Sequence, residues 1–464
     1  MRHDRALAVR RMLARAVIAL LLTLVCTPGA QAAPRIGIAT MQPGEIFFER
    51  FGHNAIVVDD PALGESLSYN FGFFDMGEPD FVGRFVEGDM RYYLARLHWQ
   101  DDLQLYLDNG RGVSIQWLDL TPAQAEAMAV ALAENARPEN ARYRYDYFID
   151  NCATRVRDAI DRALDGALKP QLTARSQGNT FRSEAVRLAS PAPWMWLGFD
   201  IGLGPSSDQP ISRWEEAYVP MRLAASLREA KLADGRPLIA SEQIVAPHRI
   251  APEPAEFQRA WWPWLLAGLV IAALWSWLCS GRPRTAAAIA WLFWGVAGLL
   301  GLVMAGVWFG TGHRFGWANH NLLLFSPLSW LLLPGTWRLA QGKPAGRLFR
   351  WMLTATVICA VLAPVLHWVV AVPQANAHWI ALLLPVHIAF GIAWLRTGAE
   401  HCQAVDVGQQ IAGACQRQSG FCHEAAQADL PAHRLHRPVE CLQQSQRIGG
   451  IGQQLLHKKG VAAG

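Results

Sequence analysis

Charged residues are scarce in this sequence. Asp, Glu, Lys and Arg make up 17% of its 464 residues, hydrophobic residues make up 52%, and the net charge is only +4. The basic residues are spread along the chain, whereas a nucleic-acid-binding protein needs a concentrated basic face, so we predict no nucleic-acid partner. Residues 33–256 also lack an H-E-x-x-H motif and paired metal-ligand spacings, and we expect no metal or other cofactor.

Cysteine is almost missing from the first half of the chain. Cys152 is the only cysteine between residues 33 and 256, and the other seven are Cys26, Cys279, Cys359, Cys402, Cys415, Cys422 and Cys441. An unpaired thiol in an oxidising compartment indicates reactivity. The alternative is a buried, inert cysteine, which is the more common state of a lone thiol.

The N-terminus has the pattern of a secretory signal peptide. Five arginines up to Arg15 precede a short apolar run at 17–25, and the small residues at 30–32 fit a cleavage site. We therefore predict a signal peptide at 1–32. The apolar run is short for a bilayer of roughly 30 Å, and an uncleaved membrane anchor is the alternative.

Residues 33–256 have the pattern of an exported α+β domain. Residues 54–59 and 66–71 are strand-like, with a Pro/Gly turn between them. A Thr-Pro cap predicts a helix over 122–135. Apolar residues at a spacing of four predict a second helix that begins near Asn151.

A membrane domain is predicted at residues 257–398. This region contains five apolar runs, each close to the roughly 17–25 residues that a spanning helix needs. The runs lie at 261–280, 286–309, 321–337, 348–370 and 379–395. The third and fifth runs are short and interrupted by proline.

The distribution of Lys and Arg predicts the topology of these spans. Basic residues are concentrated in the loops predicted to lie inside, which places residues 33–256 outside the cytoplasm. Residues 399–464 are rich in Gln, Ala, Gly and His without an apolar period, so we predict a disordered cytoplasmic tail. The four cysteines of this tail lack the spacing of zinc ligands, which favours incidental cysteines over a metal site.

Cys152 is the candidate nucleophile, because it lies at the predicted start of a helix. A helix N-terminus lowers the pKa of a thiol, since free N–H groups and the macrodipole favour negative charge there. Arg155 adds positive charge nearby. Thiolate is the attacking form of a catalytic cysteine. The alternative is that Asn151 only caps the helix and Cys152 is a small core residue.

His53 and Asn70 are the candidate partners of the thiol. A thiol enzyme needs an imidazole that accepts a proton and later returns it, and His53 directly precedes a predicted strand. Asn70, on the next strand, would hold the imidazole tautomer as in Cys-His-Asn sites. The alternatives are a structural histidine at a strand edge and a turn-forming asparagine.

Several motifs together resemble a known family. They are FGHNAIVV at 51–58, YNFGFFD at 69–75, LDLT at 118–121 and YRYDYFIDNCATRVRD at 143–158. These segments resemble the Lnb N-terminal periplasmic domain, whose family is that of a bacterial lipoprotein N-acyltransferase. The order of His first and then Cys at a helix start is similar to permuted papain-like folds of the NlpC type.

The resemblance implies a bacterial inner-membrane enzyme with a periplasmic catalytic domain. Cys152 would take an acyl chain from a phospholipid as a thioester, with His53 as base and then acid. The acceptor would be the N-terminal amine of a lipoprotein, so the expected partners are membrane phospholipids and lipoproteins. One alternative is a thiol hydrolase, a peptidase or amidase, that uses the same dyad on cell-wall or protein substrates. Another is a non-enzymatic membrane scaffold.

Overall fold

A computed structural model describes residues 12–16, 33–62, 64–257 and 259–395. Most of the predicted signal peptide and the whole predicted tail at 399–464 lie outside these residues. The described chain runs through a mixed sheet-and-helix domain and then through a set of apolar helices. This order confirms the predicted α+β class followed by a helical membrane domain.

An antiparallel sheet, with seven strands in the described residues, forms the frame of the first domain. In chain order they are β1 (Arg35–Met41), β2 (His53–Asp60), β3 (Glu65–Phe73), β4 (Arg91–His98), β5 (Val113–Leu118), β6 (Arg142–Arg144) and β7 (Ile239–Ala246). Their spatial order is β6-β4-β3-β2-β1-β5-β7. The two strands predicted from the sequence are confirmed as β2 and β3. They pair with Val57 opposite Ser68, so alternation of side chains puts His53 and Asn70 on the same face.

Helices cover both faces of this sheet. They are α1 (Phe81–Glu87), α2 (Trp99–Asp108), α3 (Pro122–Asn135), α4 (Pro138–Ala141), α5 (Cys152–Ala163), α6 (Leu168–Thr173), α7 (Phe181–Ala189), α8 (Pro193–Gly202), α9 (Arg213–Glu216) and α10 (Pro220–Glu229), with 3-10 turns at Phe47–Glu49 and Pro205–Ser207. On one face, Val156 and Ile160 of α5 pack in a core with Ile56. On the other face, Leu103 of α2 packs in a core with Val57. The sheet therefore separates α5 from α2.

The helix predicted at 122–135 is confirmed as α3, and its start shows why the sequence signal was reliable. The Thr121 hydroxyl accepts a hydrogen bond from the Gln124 N–H, and the Gln124 side chain accepts one from the Thr121 N–H. This reciprocal cap satisfies two N–H groups that have no partner inside the helix.

Four helices in the described residues are long and apolar enough to cross a membrane. They are α11 (Trp262–Gly281), α12 (Pro283–Gly310), α14 (Arg347–Val369) and α15 (Ala377–Leu395). The third predicted span, at 321–337, is wrong as a continuous helix. The chain there forms 3-10 helices at His320–Leu323 and Pro327–Leu332 and then a short helix, α13 (Leu333–Ala340).

Proline and close packing explain the broken third segment. Pro327 and Pro334 have no N–H to continue a helix, and each stands near the start of a new helical piece. The segment also lies very close to α12. A Cβ added at Gly301 would lie 2.2 Å from the Phe325 carbonyl oxygen. The observed path therefore follows from backbone contact with α12 as well as from the prolines.

Helix α8 joins the first domain to the membrane segments. The side-chain amides of Asn319 and Asn321 donate hydrogen bonds to the carbonyl of Ile201, at 2.8 and 2.9 Å. Both asparagines are buried. Because buried polar groups are costly to leave unpaired, these bonds hold the end of α8 against the broken segment.

A second contact, which we call the docking cluster, surrounds Asp200 of α8. It consists of Asp200, Arg259, His378 and Trp379. One oxygen of the Asp200 carboxylate, Oδ2, lies 2.7 Å from Arg259 Nη1, 2.7 Å from His378 Nε2 and 2.8 Å from Trp379 Nε1. The cluster ties the first domain to the start of α15.

Candidate active site

The helix that carries Cys152 begins with a fully bonded cap. The Asn151 side-chain oxygen accepts the Thr154 N–H at 2.9 Å, and the Thr154 hydroxyl accepts the Asn151 N–H at 2.7 Å. The Asn151 amide nitrogen donates to the carbonyls of Tyr147 and Tyr218. These bonds fix the start of α5 and confirm the predicted position of Cys152 at its first residue.

The Cys152 thiol lies among hydrogen-bond donors. It accepts hydrogen bonds from the backbone N–H groups of Asn54 and Ala153, and it hydrogen-bonds with the His53 imidazole. Burial raises the pKa of the Cys152 thiol, but the charge of His53 and these hydrogen bonds outweigh burial, so the pKa lies below its usual value. The surroundings therefore favour the thiolate form.

The positive charge that the sequence places near the thiol at Arg155 is paired with a carboxylate. Arg155 Nε lies 2.6 Å from Asp150 Oδ1, and its guanidinium lies 3.6 Å from the centre of the Tyr143 ring. The adjacent carboxylate offsets the positive charge. The thiolate is stabilised instead by His53 and by the two backbone N–H groups.

His53 is placed by the glycine before it. Gly52 has a φ of 78°, and a Cβ there would lie 2.9 Å from the Met41 carbonyl oxygen, so the turn into β2 requires glycine. The imidazole Nε2 of His53 lies 3.0 Å from Asn70 Oδ1. Because an amide oxygen only accepts, Nε2 carries a proton.

The charge state of His53 complements that of the thiol. Burial lowers the pKa of the His53 imidazole, but the Cys152 thiolate, the hydrogen bonds to Cys152 and Asn70 and the charge of Asp102 raise it more. The net pKa is therefore above its usual value. A raised imidazole pKa beside a lowered thiol pKa favours a thiolate–imidazolium pair.

Asp102 sets the orientation of Asn70. The Asn70 amide nitrogen donates to Asp102 Oδ2 at 2.8 Å and to the Ser68 hydroxyl at 3.1 Å. Because a carboxylate only accepts, the amide nitrogen must face Asp102, which leaves the amide oxygen for His53. Cys152, His53, Asn70 and Asp102 form one chain of contacts, which we call the site cluster.

Asp102 was not predicted from the sequence as a member of the site. It lies in the first turn of α2 beside Asp101, and acidic residues are favoured at that position of any helix. The two residues differ in burial, since Asp102 is 1% exposed and Asp101 is exposed. No local signal separates them, because the contact with Asn70 spans 32 residues of chain.

Aromatic side chains and one glycine surround the thiol. The Tyr106 ring stacks on the His53 ring, with their centres 6.3 Å apart and their planes at 13°. A Cβ added at Gly72 would lie 3.7 Å from the Cys152 Cβ and 3.5 Å from the Tyr145 ring. The absent side chain of Gly72 thus leaves space between Tyr145 and the Cβ of Cys152.

The site cluster can perform nucleophilic chemistry. It holds a thiol, an imidazole beside the thiol and an amide that orients the imidazole, and the backbone N–H groups of Asn54 and Ala153 help to lower the pKa of the thiol. These are the groups that acyl transfer through a cysteine requires. Among the residues that the structure describes, no three His, Cys, Asp or Glu side chains meet as metal ligands would.

Comparison with known protein families gives two matches. Residues 33–188 match the Lnb N-terminal periplasmic domain, and residues 258–397 match the Lnb transmembrane domain. Together with the four apolar helices, the matches define a membrane protein with a periplasmic domain. The chain belongs to the Lnb family, since the two matches together cover more than half of it. No curated protein and no solved structure matches the chain.

Membership of the Lnb family confirms the resemblance noted in the sequence. It implies a membrane function of the lipoprotein N-acyltransferase type. All members of the site cluster lie within the match to the periplasmic domain, at residues 33–188.

Proposed function

We propose that this protein is a membrane-anchored cysteine N-acyltransferase that moves an acyl chain from a phospholipid to the N-terminal amine of lipoproteins. Cys152 is the nucleophile, His53 is the base and acid, and Asn70 orients His53. The observation that carries the proposal is the contact between a thiol at a helix N-terminus and an imidazole whose far nitrogen is bound by an amide. The same arrangement supports a permuted papain-like domain.

The first half of the reaction forms a thioester. The Cys152 thiolate attacks the ester carbonyl of the phospholipid, and a sulfur–carbon bond replaces the carbon–oxygen bond of the ester. The imidazolium of His53 gives its proton to the departing lysophospholipid oxygen. We assign the N–H groups of Asn54 and Ala153, which lie near the thiol, as the donors that stabilise the negative oxygen of the tetrahedral intermediate.

The second half transfers the acyl chain to an amine. The lipoprotein amine attacks the thioester carbonyl, and a nitrogen–carbon bond replaces the sulfur–carbon bond. His53, now neutral, accepts the proton from the amine, and the thiolate of Cys152 is restored. Because Asn70 is uncharged, it holds the ring orientation during both proton transfers without fixing the charge of the imidazole.

The membrane domain supports lipid-linked substrates. Both proposed substrates are anchored in a bilayer, and removing an acyl chain from it costs about 0.8 kcal/mol per CH₂. The bonds of Asn319 and Asn321 to Ile201, together with the docking cluster, hold the catalytic domain against the membrane segments. We infer that this attachment keeps the thiol at the surface of the bacterial inner membrane, on its periplasmic side.

The proposal is tested with the full-length protein in detergent, a phospholipid with a labelled acyl chain, and a diacylated lipopeptide with a free N-terminal amine. We expect labelled triacylated lipopeptide, and without acceptor we expect a hydroxylamine-labile acyl adduct on the peptide containing Cys152. Label released only as free fatty acid, or cleavage of a peptide substrate, would support a hydrolase instead. Undiminished transfer by Cys152→Ala would refute the proposal.

A further inference from the structure

Exposed aromatic residues mark one region of the periplasmic domain. Phe47 and Phe48, in the 3-10 turn between β1 and β2, are 42% and 51% exposed, and Trp194 of α8 is 65% exposed. Exposed apolar patches on a soluble surface indicate a partner of similar chemistry.

Ring contacts, together with the chain neighbours Phe47 and Phe48, place these residues in a row that leads toward Cys152. We call the following set the aromatic strip: Trp194, Phe47, Phe48, Phe74, Tyr92 and Tyr145. The ring centres of Trp194 and Phe47 are 5.9 Å apart. Phe48 follows Phe47 in the chain, and its ring centre lies 5.6 Å from that of Phe74.

The inner end of the aromatic strip reaches the nucleophile. Phe74 lies 5.0 Å from Tyr92, and Tyr92 lies 4.5 Å from Tyr145. Tyr145 and Cys152 both line the space that the absent Gly72 side chain leaves open. The strip therefore runs from the exposed surface to the side of the thiol where that space lies.

The outer end of the strip adjoins the membrane segments. Trp194 belongs to α8, and Trp196 of the same helix lies 6.5 Å from Trp264 in the first turn of α11. The end of α8 at Ile201 is bonded to the broken segment by Asn319. Because α11 begins where the periplasmic domain ends, this contact lies at the outer end of a span.

A second exposed patch meets the outer end of another span. Val82, Phe85 and Val86 of α1 are 70%, 38% and 58% exposed. His313, which follows the end of α12, lies with its Nε2 2.9 Å from the Phe85 carbonyl oxygen. Exposed apolar residues on both sides of the site thus lie beside span ends that face the periplasm.

We propose that these side chains enter the outer half of the bilayer and that the aromatic strip guides the acyl chain of a membrane lipid to Cys152. The continuity of the strip with the membrane segments favours a lipid chain over a second protein as its occupant. An acyl chain is apolar throughout and matches a path of aromatic rings. The inference rests on the proposed acyltransferase function and adds the route of its donor substrate.

Photocrosslinking tests the route. Full-length protein is placed in vesicles of phosphatidylethanolamine and phosphatidylglycerol that contain a phosphatidylethanolamine with a diazirine on its acyl chain. We expect adducts on peptides containing Phe47, Phe48 and Trp194, besides those on the spans. Adducts confined to the spans would overturn the proposal.

A substitution separates this inference from the proposed function. Acylation of Cys152 is measured with a long-chain phospholipid and with a short-chain, water-soluble ester, and the ratio of the two rates is compared between variants. For Phe48→Ser, and separately for Phe47→Ser, we expect this ratio to fall about tenfold, because the serine loses the apolar surface that a bound acyl chain would cover. The matched variants Ile244→Ser and Val130→Ser change side chains that are 79% and 59% exposed outside the strip, and they should keep the wild-type ratio.

The outcomes distinguish two failures. An unchanged ratio in both strip variants would refute the acyl-chain route and leave the acyltransferase proposal intact. Failure of the wild-type protein to form an adduct on Cys152 with either ester would refute the proposed function itself. The crosslinking result decides the route independently if a variant does not fold.

Discussion

The site cluster and the docking cluster each place a histidine near an aspartate, but they differ in what stands between the two. In the docking cluster, Asp200 touches His378 directly at 2.7 Å, and two further donors bind the same oxygen. In the site cluster, Asn70 separates Asp102 from His53. A saturated carboxylate holds two domains together, whereas a neutral amide leaves the imidazole free to exchange a proton with a thiol.

The sharpest way to break this comparison is to remove the thiol. Cys152→Ala should abolish acyl transfer, with a loss of about 10⁴-fold or more, because no other group forms the thioester. Because Cys152 does not contact the docking cluster, the midpoint of thermal unfolding of Cys152→Ala in detergent should stay close to the wild-type value. Transfer is measured with labelled phospholipid and lipopeptide. A variant that keeps a tenth of wild-type activity would contradict the assigned nucleophile.

Removing the base should have the next largest effect. His53→Ala should slow acyl transfer by roughly 10²–10⁴-fold, since proton transfer to the leaving oxygen and from the amine is lost. The rate of the same labelled transfer assay measures this loss, with circular dichroism as the control for folding. A loss smaller than that caused by Asn70→Ala would contradict the assignment of His53 as the base.

Breaking the docking cluster should lower stability and leave the chemistry of Cys152 largely unchanged. Asp200→Ala removes the carboxylate oxygen that Arg259, His378 and Trp379 share, and removal of one partner of a buried ion pair costs about 3–5 kcal/mol. We expect a clearly lower thermal midpoint in detergent, while short-ester acylation of Cys152 below that midpoint stays near wild type. Unchanged stability would show that the cluster does not hold the two parts together.

The smallest expected effect belongs to Asp102. Its charge raises the pKa of the His53 imidazole, so Asp102→Asn lowers that pKa. The alkaline limb of kcat/KM reports loss of the imidazolium proton and should therefore move to lower pH, which lowers the rate at the alkaline side. Asp101→Asn changes the exposed neighbouring carboxylate and is the matched control. A shift of the limb to higher pH, or an equal shift in both variants, would contradict the role of Asp102.

Much of the fold could be predicted from local sequence patterns. The cap at Thr121 and the cap at Asn151 are closed by residues three positions further along, so the sequence alone placed both helix starts. The strands predicted at 54–59 and 66–71 likewise match β2 and β3. These predictions depend on neighbouring residues and on one strand pairing, which a short stretch of sequence specifies.

Long-range contacts were beyond the reach of the sequence. The prolines predicted an interruption near 321–337, but the path of that segment depends on the backbone approach of Phe325 to Gly301. Asp102 and Asp200 acquire their roles from partners 32 and 178 residues away. An acidic residue in a first helical turn, or one close to a glycine, has no neighbouring sequence pattern that would predict such a contact.

The most direct test of the central claim is the pH dependence of Cys152 alkylation by iodoacetamide, followed on the peptide that contains Cys152. We predict alkylation by a thiolate with a midpoint below the ordinary thiol value of about 8.5, and a rise of that midpoint in His53→Ala. A wild-type midpoint at the ordinary value, or one that does not move when His53 is removed, would contradict the thiolate–imidazolium pair.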